Sequence, residues 1–422
     1  MDFNSLLQGV NCSCGKPHRC DIDAVYIEPG AIARLSELCT PYDTILFVAD
    51  ENTFAVAGRQ AETVLDSKTV KRVIFSGETI LIPDETAIET VRASLEGVDL
   101  ILGIGSGVIQ DLCKYVSYFS DIPYMIVATA PSMDGYASSG AAMILKGMKE
   151  TVSVGLPKAI IADTEILKAA PIRMIQAGYG DVIGKFSALC DWELSRIVNG
   201  EYFCQYIYDM TYQMIEKVLS TAEGLMRREE ASIQALTEAL IVVGILISFV
   251  STSRPASGSE HHLSHFFEIV GIVKDEPYFP HGIDVAYGTV VTTEIREKLL
   301  ATTYDRASFR QSGEAYQRTM KEIYGPVAEG CMALQDKVGF YKADRAGVYK
   351  EKEADIKAVF AKMPSAEEIK QMLSLAELDM AEFYELYGEE KIEIAKLYAK
   401  DLKDRYTVLW MYYDLFGGEN DR

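Results

Sequence analysis

The sequence predicts an N-terminal α/β domain built on a parallel sheet, followed by an all-α domain. Up to Asp163, short and continuous apolar runs alternate with stretches of helical spacing. Strands that are apolar throughout, with helices between them, are typical of a parallel sheet covered on both faces. From about Leu167 onward, almost every segment has helical spacing or length. We therefore predict two domains, at 1–166 and 167–422.

The predicted elements follow this division in chain order. Strands are expected at 25–27, 44–49, 72–75, 98–103, 124–128 and 159–163, with a hairpin over 143–154. The spacing predicts helices at 84–95 and 108–119 in the first domain, and at 202–226, 232–250, 260–269, 289–300 and 364–375 in the second.

The composition excludes nucleic acid as the main partner. The chain has 422 residues, of which 49% are hydrophobic, and a formal net charge of −21. Phosphate backbones bind basic surfaces, and this protein is acidic. Any phosphate in a ligand must therefore be bound by a local cluster of cations.

The chain shows no mark of a secreted or membrane protein. Its first residues have no basic segment followed by an apolar one. The most apolar window, 239–250, is shorter than the ~20 residues needed to cross a bilayer. We therefore expect a cytoplasmic protein without a membrane span, in which the eight cysteines are reduced.

A glycine-rich loop, Gly103–Gly107 (GIGSG), lies between a predicted strand and a predicted helix. Glycines there let the backbone approach a pyrophosphate, which the N–H groups of the helix N-terminus then face. The alternative is a tight strand-to-helix turn without a ligand. The Rossmann fingerprint is absent. Asp50, at the end of an earlier strand, either accepts from a ribose or caps a helix.

Three of the five histidines fall within the segment 258–265. His261 and His265 share a helix face, whereas His262 points about 100° away. His281 follows a proline later in the chain. Two imidazoles with a carboxylate leave an open coordination position on a catalytic metal. The concentration of histidines favours a metal site, although one or two of them as ordinary core or surface residues is the alternative.

The carboxylate partner of these histidines must come from elsewhere in the chain. Asp181, in the segment 177–185, is expected at the start of an apolar helix. A helix N-cap is the common role for such a residue. Spacing alone does not separate a cap from a ligand.

The N-terminal segment contains Cys12, Cys14, His18 and Cys20. The spacing is not that of a standard zinc finger, so it favours an N-terminal arm that binds no metal. The C-terminal residues 330–422 contain no recognisable motif.

The string Val127–Ser138 (VATAPSMDGYAS) occurs with four other motifs in a fixed order: GIGSG, AGYGD, SRPASGSEHHLSH and PHG. Together they closely resemble the sn-glycerol-1-phosphate dehydrogenases, in particular their bacterial, AraM-like branch. That family belongs to the superfamily of iron-containing alcohol dehydrogenases, glycerol dehydrogenase and dehydroquinate synthase. The resemblance covers about residues 25–300 and implies a dehydroquinate synthase-like fold.

The resemblance also implies a cofactor site for NAD or NADP. Residues 107–111 would contact its phosphates, Thr129 and Ser132 its nicotinamide side, and Asp50 the adenosine ribose, which would favour NAD. The complete implied set is Asp50, Gly105, Ser106, Gly107, Val108, Ile109, Gln110, Asp111, Thr129, Ser132 and Ser138.

By the same resemblance, Asp181, His261 and His281 bind one divalent metal, which is zinc, nickel or iron. Asp134, Asp181 and His265 contact the substrate. His265 is also a candidate for proton transfer. Lys185, one turn beyond Asp181, is the first candidate for the substrate phosphate; other cations in reach along the sequence are Arg254, Lys146 and Lys149.

The implied reaction interconverts dihydroxyacetone phosphate and sn-glycerol 1-phosphate, and the implied assembly is a homodimer or larger homo-oligomer. Three alternatives remain at this point. They are a dehydrogenase of glycerol or another polyol, a dehydroquinate synthase-like lyase, and an NAD-binding scaffold without activity.

Overall fold

A computed structural model describes residues 3–145, 148–308 and 313–417. The chain forms two compact units. Unit 1 comprises residues 1–178 and 214–252, and unit 2 comprises residues 179–213 and 253–422. The sequence did not predict that residues 214–252 belong to the first unit. The predicted domain boundary after residue 166 stays a prediction.

Unit 1 contains the expected parallel sheet. Its strands are β1 (Ala24–Glu28), β2 (Thr44–Asp50), β3 (Thr69–Phe75), β4 (Leu100–Gly105), β5 (Tyr124–Ala128) and β8 (Ala159–Asp163), in the order β1-β8-β5-β4-β2-β3. All five pairings in this sheet are parallel. A separate antiparallel hairpin joins β6 (Gly140–Leu145) to β7 (Met148–Ser153). The predicted fold class of the first domain is confirmed.

The central strands are buried because both faces of the sheet are covered. Every residue of β4, β5 and β8 is buried. Phe47 and Leu102 belong to one apolar cluster, and Leu46 and Ile101 belong to another on the opposite face. Alternate side chains of a strand point to opposite faces, so two cores require strands that are apolar at every position.

Helices connect the strands of unit 1 and make up unit 2. Those up to the end of the sheet are α1 (Phe3–Leu7), α2 (Leu35–Leu38), α3 (Glu51–Thr53), α4 (Arg59–Val64), α5 (Glu85–Arg92), α6 (Gly107–Ser120) and α7 (Thr164–Leu167). Then follow α8 (Ile172–Asn199), α9 (Gln205–Leu219), α10 (Glu230–Val250), α11 (Ser259–Lys274), α12 (His281–Leu300), α13 (Glu314–Tyr324), α14 (Ala328–Val338), α15 (Ala346–Glu351), α16 (Glu353–Phe360), α17 (Ala366–Ser374), α18 (Met380–Tyr398) and α19 (Val408–Phe416).

The helix that carries Asp181 differs from the sequence prediction. Asp181 was expected at a helix start, but α8 begins at Ile172, so Asp181 lies inside the helix and is not its N-cap. Gly178 and Gly180, which precede Asp181, are helical as well. The aspartate is therefore available for another role.

Among the helices of the described residues, one, α10, is long and apolar enough to cross a membrane by length and composition. It is longer than the apolar window seen in the sequence, and 89% of its most apolar segment is buried inside the protein. Such burial is typical of a core helix, and α10 belongs to unit 1.

Candidate functional site

Asp181, His261 and His281 converge in unit 2. Each offers one ligand atom, and these atoms all lie within 4.8 Å of one another. Asp181 Oδ1 is 3.4 Å from His261 Nε2, and the His261 and His281 rings have centroids 5.1 Å apart. The three residues come from three helices, α8, α11 and α12. The structure therefore brings together the predicted metal ligands.

A close approach between helices sets this geometry. A Cβ on Gly180 would lie 2.3 Å from the carbonyl oxygen of Gly282 and 2.7 Å from Ala286 Cβ. Only glycine permits that contact between α8 and the first turn of α12. Because Asp181 follows Gly180 and His281 precedes Gly282, the contact places carboxylate and imidazole side by side.

Both histidines are oriented through Nδ1. The His261 Nδ1–H donates to Glu260 Oε1 at 2.6 Å, and His281 Nδ1 lies 3.0 Å from the Ser264 hydroxyl. That hydroxyl donates to the His281 carbonyl at 3.1 Å, which leaves its oxygen to accept from His281 Nδ1–H. In this arrangement, both Nε2 atoms carry a lone pair. Hydrogen bonds of this kind fix the tautomer and ring orientation of metal-binding histidines.

Asp181 is ionised within the protein interior. It is 1% exposed, and its Oδ1 accepts a hydrogen bond of 2.7 Å from Nζ of the fully buried Lys185. Burial opposes ionisation, but the Lys185 ammonium outweighs it and holds the pKa of Asp181 well below its usual range. Lys185 Nζ also donates to the Ala256 carbonyl at 3.1 Å. Binding of a substrate phosphate by Lys185 therefore stays a prediction.

A further buried carboxyl, that of Asp191, lies close to Glu260. Asp191 accepts backbone N–H groups from Ser259 at 2.6 Å and from Val408 at 2.7 Å. Burial, followed by the nearby charge of Glu260, raises the pKa of Asp191 to about 6. Within the described residues, Glu260 Oε2 is buried without a hydrogen-bond partner. Two buried acidic side chains, Asp191 and Glu260, thus lie close together next to a metal ligand.

The two remaining histidines of the cluster have different surroundings. His262 is fully buried, and its Nδ1 donates to the Gly258 carbonyl at 2.8 Å. Burial and the charge of Lys403 hold its pKa well below its ordinary value. His265 is partly exposed, and its ring centroid lies 5.5 Å from that of His281. A position beside the ligands agrees with the predicted substrate contact of His265, which stays a prediction.

The donor set fits a divalent metal. A tetrahedral zinc with bonds of about 2.0–2.1 Å to nitrogen and oxygen holds its ligand atoms about 3.3 Å apart. The 3.4 Å between Asp181 and His261 agrees with that spacing. Nitrogen and carboxylate donors also suit nickel and iron.

In unit 1, the glycine loop runs from the end of β4 into α6. Ser106 is the N-cap of α6, and its hydroxyl lies 2.6 Å from that of Ser132. Thr129 N–H donates to the Gly105 carbonyl at 3.1 Å. A Cβ on Gly107 would meet only Met133, at 3.7 Å. The structure thus brings three predicted cofactor segments together at one helix N-terminus, where backbone N–H groups suit a phosphate.

The first turns of α6 also hold the neighbouring loop. The buried Gln110 donates through Nε2 to the Tyr136 carbonyl at 3.0 Å, and Asp111 Oδ2 accepts from Ala142 N–H at 3.1 Å. Ile109 is buried in the core. Their side chains therefore support the loop, and the predicted cofactor contacts of Val108, Ile109, Gln110 and Asp111 stay a prediction.

Lys114, in α6, supports this loop and was not predicted from the sequence. It is fully buried, and its Nζ donates to the carbonyls of Gly135 and Gly140 at 3.1 and 2.7 Å. Ser138 Oγ lies 3.4 Å from the same Nζ. The lysine ties the segment that carries Asp134, a short 3₁₀ turn at Asp134–Ala137, to α6. A lysine in an amphipathic helix gives no sign of this role.

Two other predicted residues have structural partners. Asp50 caps α3, where its Oδ1 accepts from Thr53 N–H at 2.8 Å. A contact of Asp50 with ribose stays a prediction. Arg254 Nε donates to Glu201 Oε1 at 2.6 Å and its Nη1 to the Tyr406 carbonyl at 2.8 Å. Lys146 and the side chain of Lys149 lie outside the described residues.

The chain is similar to several known proteins. Residues 26–171 match the family described as iron-containing alcohol dehydrogenase. The glycerol-1-phosphate dehydrogenase (NAD(P)+) of Bacillus licheniformis is 32% identical over 340 residues, which cover 75% of this chain and 84% of that protein. The protein of the same name from Halalkalibacterium halodurans is 34% identical over 292 residues, or 67% and 73% of the two chains.

Solved structures show the same fold. The iron-containing alcohol dehydrogenase of Thermococcus thioreducens has a TM-score of 0.58 at 16% identity and covers 93% of this chain and 98% of that chain. Glycerol dehydrogenase from Schizosaccharomyces pombe has a TM-score of 0.53 at 17% identity, covering 94% and 92%. At such identities the likeness concerns the fold alone.

The parallel sheet with its glycine loop, the helical region and the Asp/His/His centre define a protein of the iron-containing alcohol dehydrogenase class. The identity and coverage of the match to the two Bacillus and Halalkalibacterium proteins define the family within that class. The chain belongs to the glycerol-1-phosphate dehydrogenase family, which confirms the resemblance seen in the sequence.

Proposed function

We propose that the protein interconverts dihydroxyacetone phosphate and sn-glycerol 1-phosphate, with NAD(P)H as the hydride donor and a divalent metal in the Asp181 centre. The observation that carries the proposal is the set of three ligand atoms within 4.8 Å in a chain of this family. The hydrogen bonds of Glu260 and Ser264 support it, because they leave each Nε2 able to coordinate.

The centre suits an oxyanion. A divalent metal bound there supplies a Lewis acid for the negative charge that develops on the substrate oxygen during hydride transfer. The protein adds the ammonium of Lys185, which lies against Asp181 and partly cancels its charge. The centre with two neutral imidazoles then stays positive, which favours both the oxyanion and a phosphorylated substrate.

His265 is the proposed route for the proton. It is partly exposed and lies next to the His281 ring, so it has access to solvent and to the substrate side of the centre. An imidazole exchanges protons near neutral pH. Hydride transfer itself needs orientation, which we assign to the glycine loop and to Thr129 and Ser132 for the nicotinamide.

We propose further cations for the substrate phosphate. Lys403 Nζ donates to Ser257 Oγ at 3.0 Å, and Arg405 Nη1 donates to the Ser257 carbonyl at 2.9 Å. Both therefore contact Ser257, which lies just before the histidine cluster, in a protein of net charge −21. We expect Lys403→Met to raise the KM for dihydroxyacetone phosphate but not for dihydroxyacetone. The exposed Lys337→Met is the matched control, and an unchanged KM would remove Lys403 from this role.

The main experiment follows oxidation of NADH and NADPH with dihydroxyacetone phosphate. The protein is assayed as purified, after chelation, and after addition of zinc, nickel or iron. We expect activity that chelation abolishes and one of the metals restores, and oxidation of sn-glycerol 1-phosphate but not of sn-glycerol 3-phosphate in the reverse direction. No turnover with any of the three metals would refute the proposal.

A pair of variants ties the activity to the centre. Asp181→Asn removes a ligand, and we expect it to lose both metal and turnover. Asp209→Asn makes the same chemical change at an exposed position of α9 and should keep both. Turnover of dihydroxyacetone but not of its phosphate would instead indicate a polyol dehydrogenase. Location in the cytoplasm and a homodimer or larger assembly are further proposals; light scattering of the purified protein tests the assembly.

A further inference from the structure

A short N-terminal loop in unit 1 brings sulfur and nitrogen ligands together. An antiparallel bridge pairs Val10 with His18, and the Val10 N–H donates to the His18 carbonyl at 2.9 Å. This bridge closes the loop and turns His18 back towards Cys12 and Cys14. Ligand atoms of these three residues all lie within 4.8 Å of one another.

The spacing of these atoms suits zinc. Cys14 Sγ lies 3.3 Å from His18 Nε2. In a tetrahedral site with Zn–S bonds near 2.3 Å and Zn–N bonds near 2.0–2.1 Å, sulfur and nitrogen are about 3.6 Å apart and two sulfurs about 3.8 Å. The side chains therefore already have nearly the separation that a shared ion requires.

His18 is held in a fixed orientation for this role. It is fully buried, and its ring stacks on Phe249 with centroids 5.5 Å apart and planes at 13°. A ring fixed by packing presents its nitrogen in one direction, so little order is lost when a metal binds. Cys12 and Cys14 are only half-buried, which gives an ion a path from solvent.

Cys20 is near these residues in sequence but has a different environment. It is buried and hydrogen-bonded to Ser248, and burial raises the pKa of its thiol. A thiol of that kind is not poised to ionise. The structure thus divides the sequence cluster into three converging residues and one core cysteine, and Cys20 provides a matched control.

We propose that Cys12, Cys14 and His18 bind a second metal ion, zinc, which fastens the N-terminal loop closed. Two thiolates and a neutral imidazole occupy three positions around the ion, and binding releases the two thiol protons to solvent. The sequence spacing alone favoured an arm without a metal. It did not show that the Val10–His18 bridge folds the histidine onto the cysteines.

The test counts metal and identifies its ligands in the full-length protein. By elemental analysis, protein purified with zinc should contain two equivalents, the double variant Cys12→Ser/Cys14→Ser one, and Cys20→Ser two. Because the Asp181 centre has no sulfur ligand, thiolate-to-cobalt charge-transfer absorption in cobalt-loaded wild type reports on the N-terminal site alone. We expect that band in wild type and Cys20→Ser, and its absence in the double variant.

Several outcomes would overturn this proposal. They are a zinc content in wild type that does not exceed that of the double variant, no thiolate band in the cobalt form of wild type, or recovery of Cys12 and Cys14 as a disulfide from protein purified with zinc. The cobalt spectrum of wild type decides the matter even if the double variant fails to fold. Dehydrogenase activity is measured separately, so failure here is distinguishable from failure of the proposed function.

Discussion

Replacing Glu260 by glutamine should lower the affinity of the centre for its metal and raise the stability of the metal-free protein. Glu260 Oε1 accepts from His261 Nδ1 at 2.6 Å and from Gly258 N–H at 2.8 Å. Glutamine keeps an acceptor oxygen at nearly the same place but removes the negative charge. The imidazole then becomes a poorer ligand.

The size of each effect follows from the structure. Loss of a carboxylate partner behind a metal-binding histidine typically weakens metal binding about 10–100-fold, or about 1.4–2.8 kcal/mol. The stability of the metal-free protein should instead increase. The rise in the pKa of Asp191 from 3.8 to about 6 corresponds to about 3 kcal/mol of unfavourable ionisation at neutral pH. Burial is its larger cause, so removing the Glu260 charge should recover on the order of 1 kcal/mol.

The assay measures metal affinity by competition with a chelator and the free energy of unfolding of the metal-free protein in urea at pH 7.5. We expect Glu260→Gln to bind metal more weakly and yet to unfold at a slightly higher urea concentration when metal-free. Glu268→Gln, further along the same helix, is the control and should leave metal affinity unchanged. A purely structural role for Glu260 predicts lower stability instead. That result, or unchanged metal affinity, would show that the charge of Glu260 has neither of these effects.

Three further predictions concern other parts of the structure. Asp181→Asn leaves the buried Lys185 without its ion-pair partner and should cost about 3–5 kcal/mol of stability in urea unfolding; adding Lys185→Met should restore much of it without restoring metal binding. Gly105→Ala would place a Cβ 2.6 Å from Ile109 Cβ, so NADH binding, measured by fluorescence, should fall at least tenfold. The folded pKa of Asp191 lies above its unfolded value, so its ionisation costs nothing below about pH 4 and the full amount above about pH 6; the stability of metal-free Asp191→Asn relative to wild type should therefore rise across that interval, and a flat difference would contradict the assigned pKa.

The sheet could be predicted because its cause is local in the sequence. The runs 45–49 and 124–128 are apolar at every position, which only a strand covered on both faces requires. The glycine loop was recognisable for the same reason, since it follows such a strand directly. The side chains that support this loop could not be predicted. Lys114 donates to the carbonyls of Gly135 and Gly140, which only the folded chain brings near it.

The place of Asp181 shows where local reasoning fails. An aspartate expected at the start of an apolar helix is most often a helix cap. Asp181 lies instead inside α8, and the preceding Gly180 is a glycine because Gly282 of another helix approaches too closely for a Cβ. The residue was judged by its neighbours in sequence, whereas its conformation is set by a neighbour about a hundred residues away.

The histidines illustrate the same limit at the level of chemistry. Spacing on a helix could separate His262 from His261 and His265, because rotation per residue is fixed by the backbone. It could not say which of the two on the shared face binds a metal, since that depends on what faces each ring. His261 has Asp181 at 3.4 Å and a carboxylate behind it, whereas His265 lies outside the set of converging ligand atoms. The carboxylate of Asp181 near Nε2 therefore distinguishes the ligand, and its position is a property of tertiary packing. An acidic residue beside a histidine is nevertheless visible in the sequence, as Glu260 is in the string SEHH. Together with a distant carboxylate such as Asp181, it is a signal by which such a ligand can be predicted.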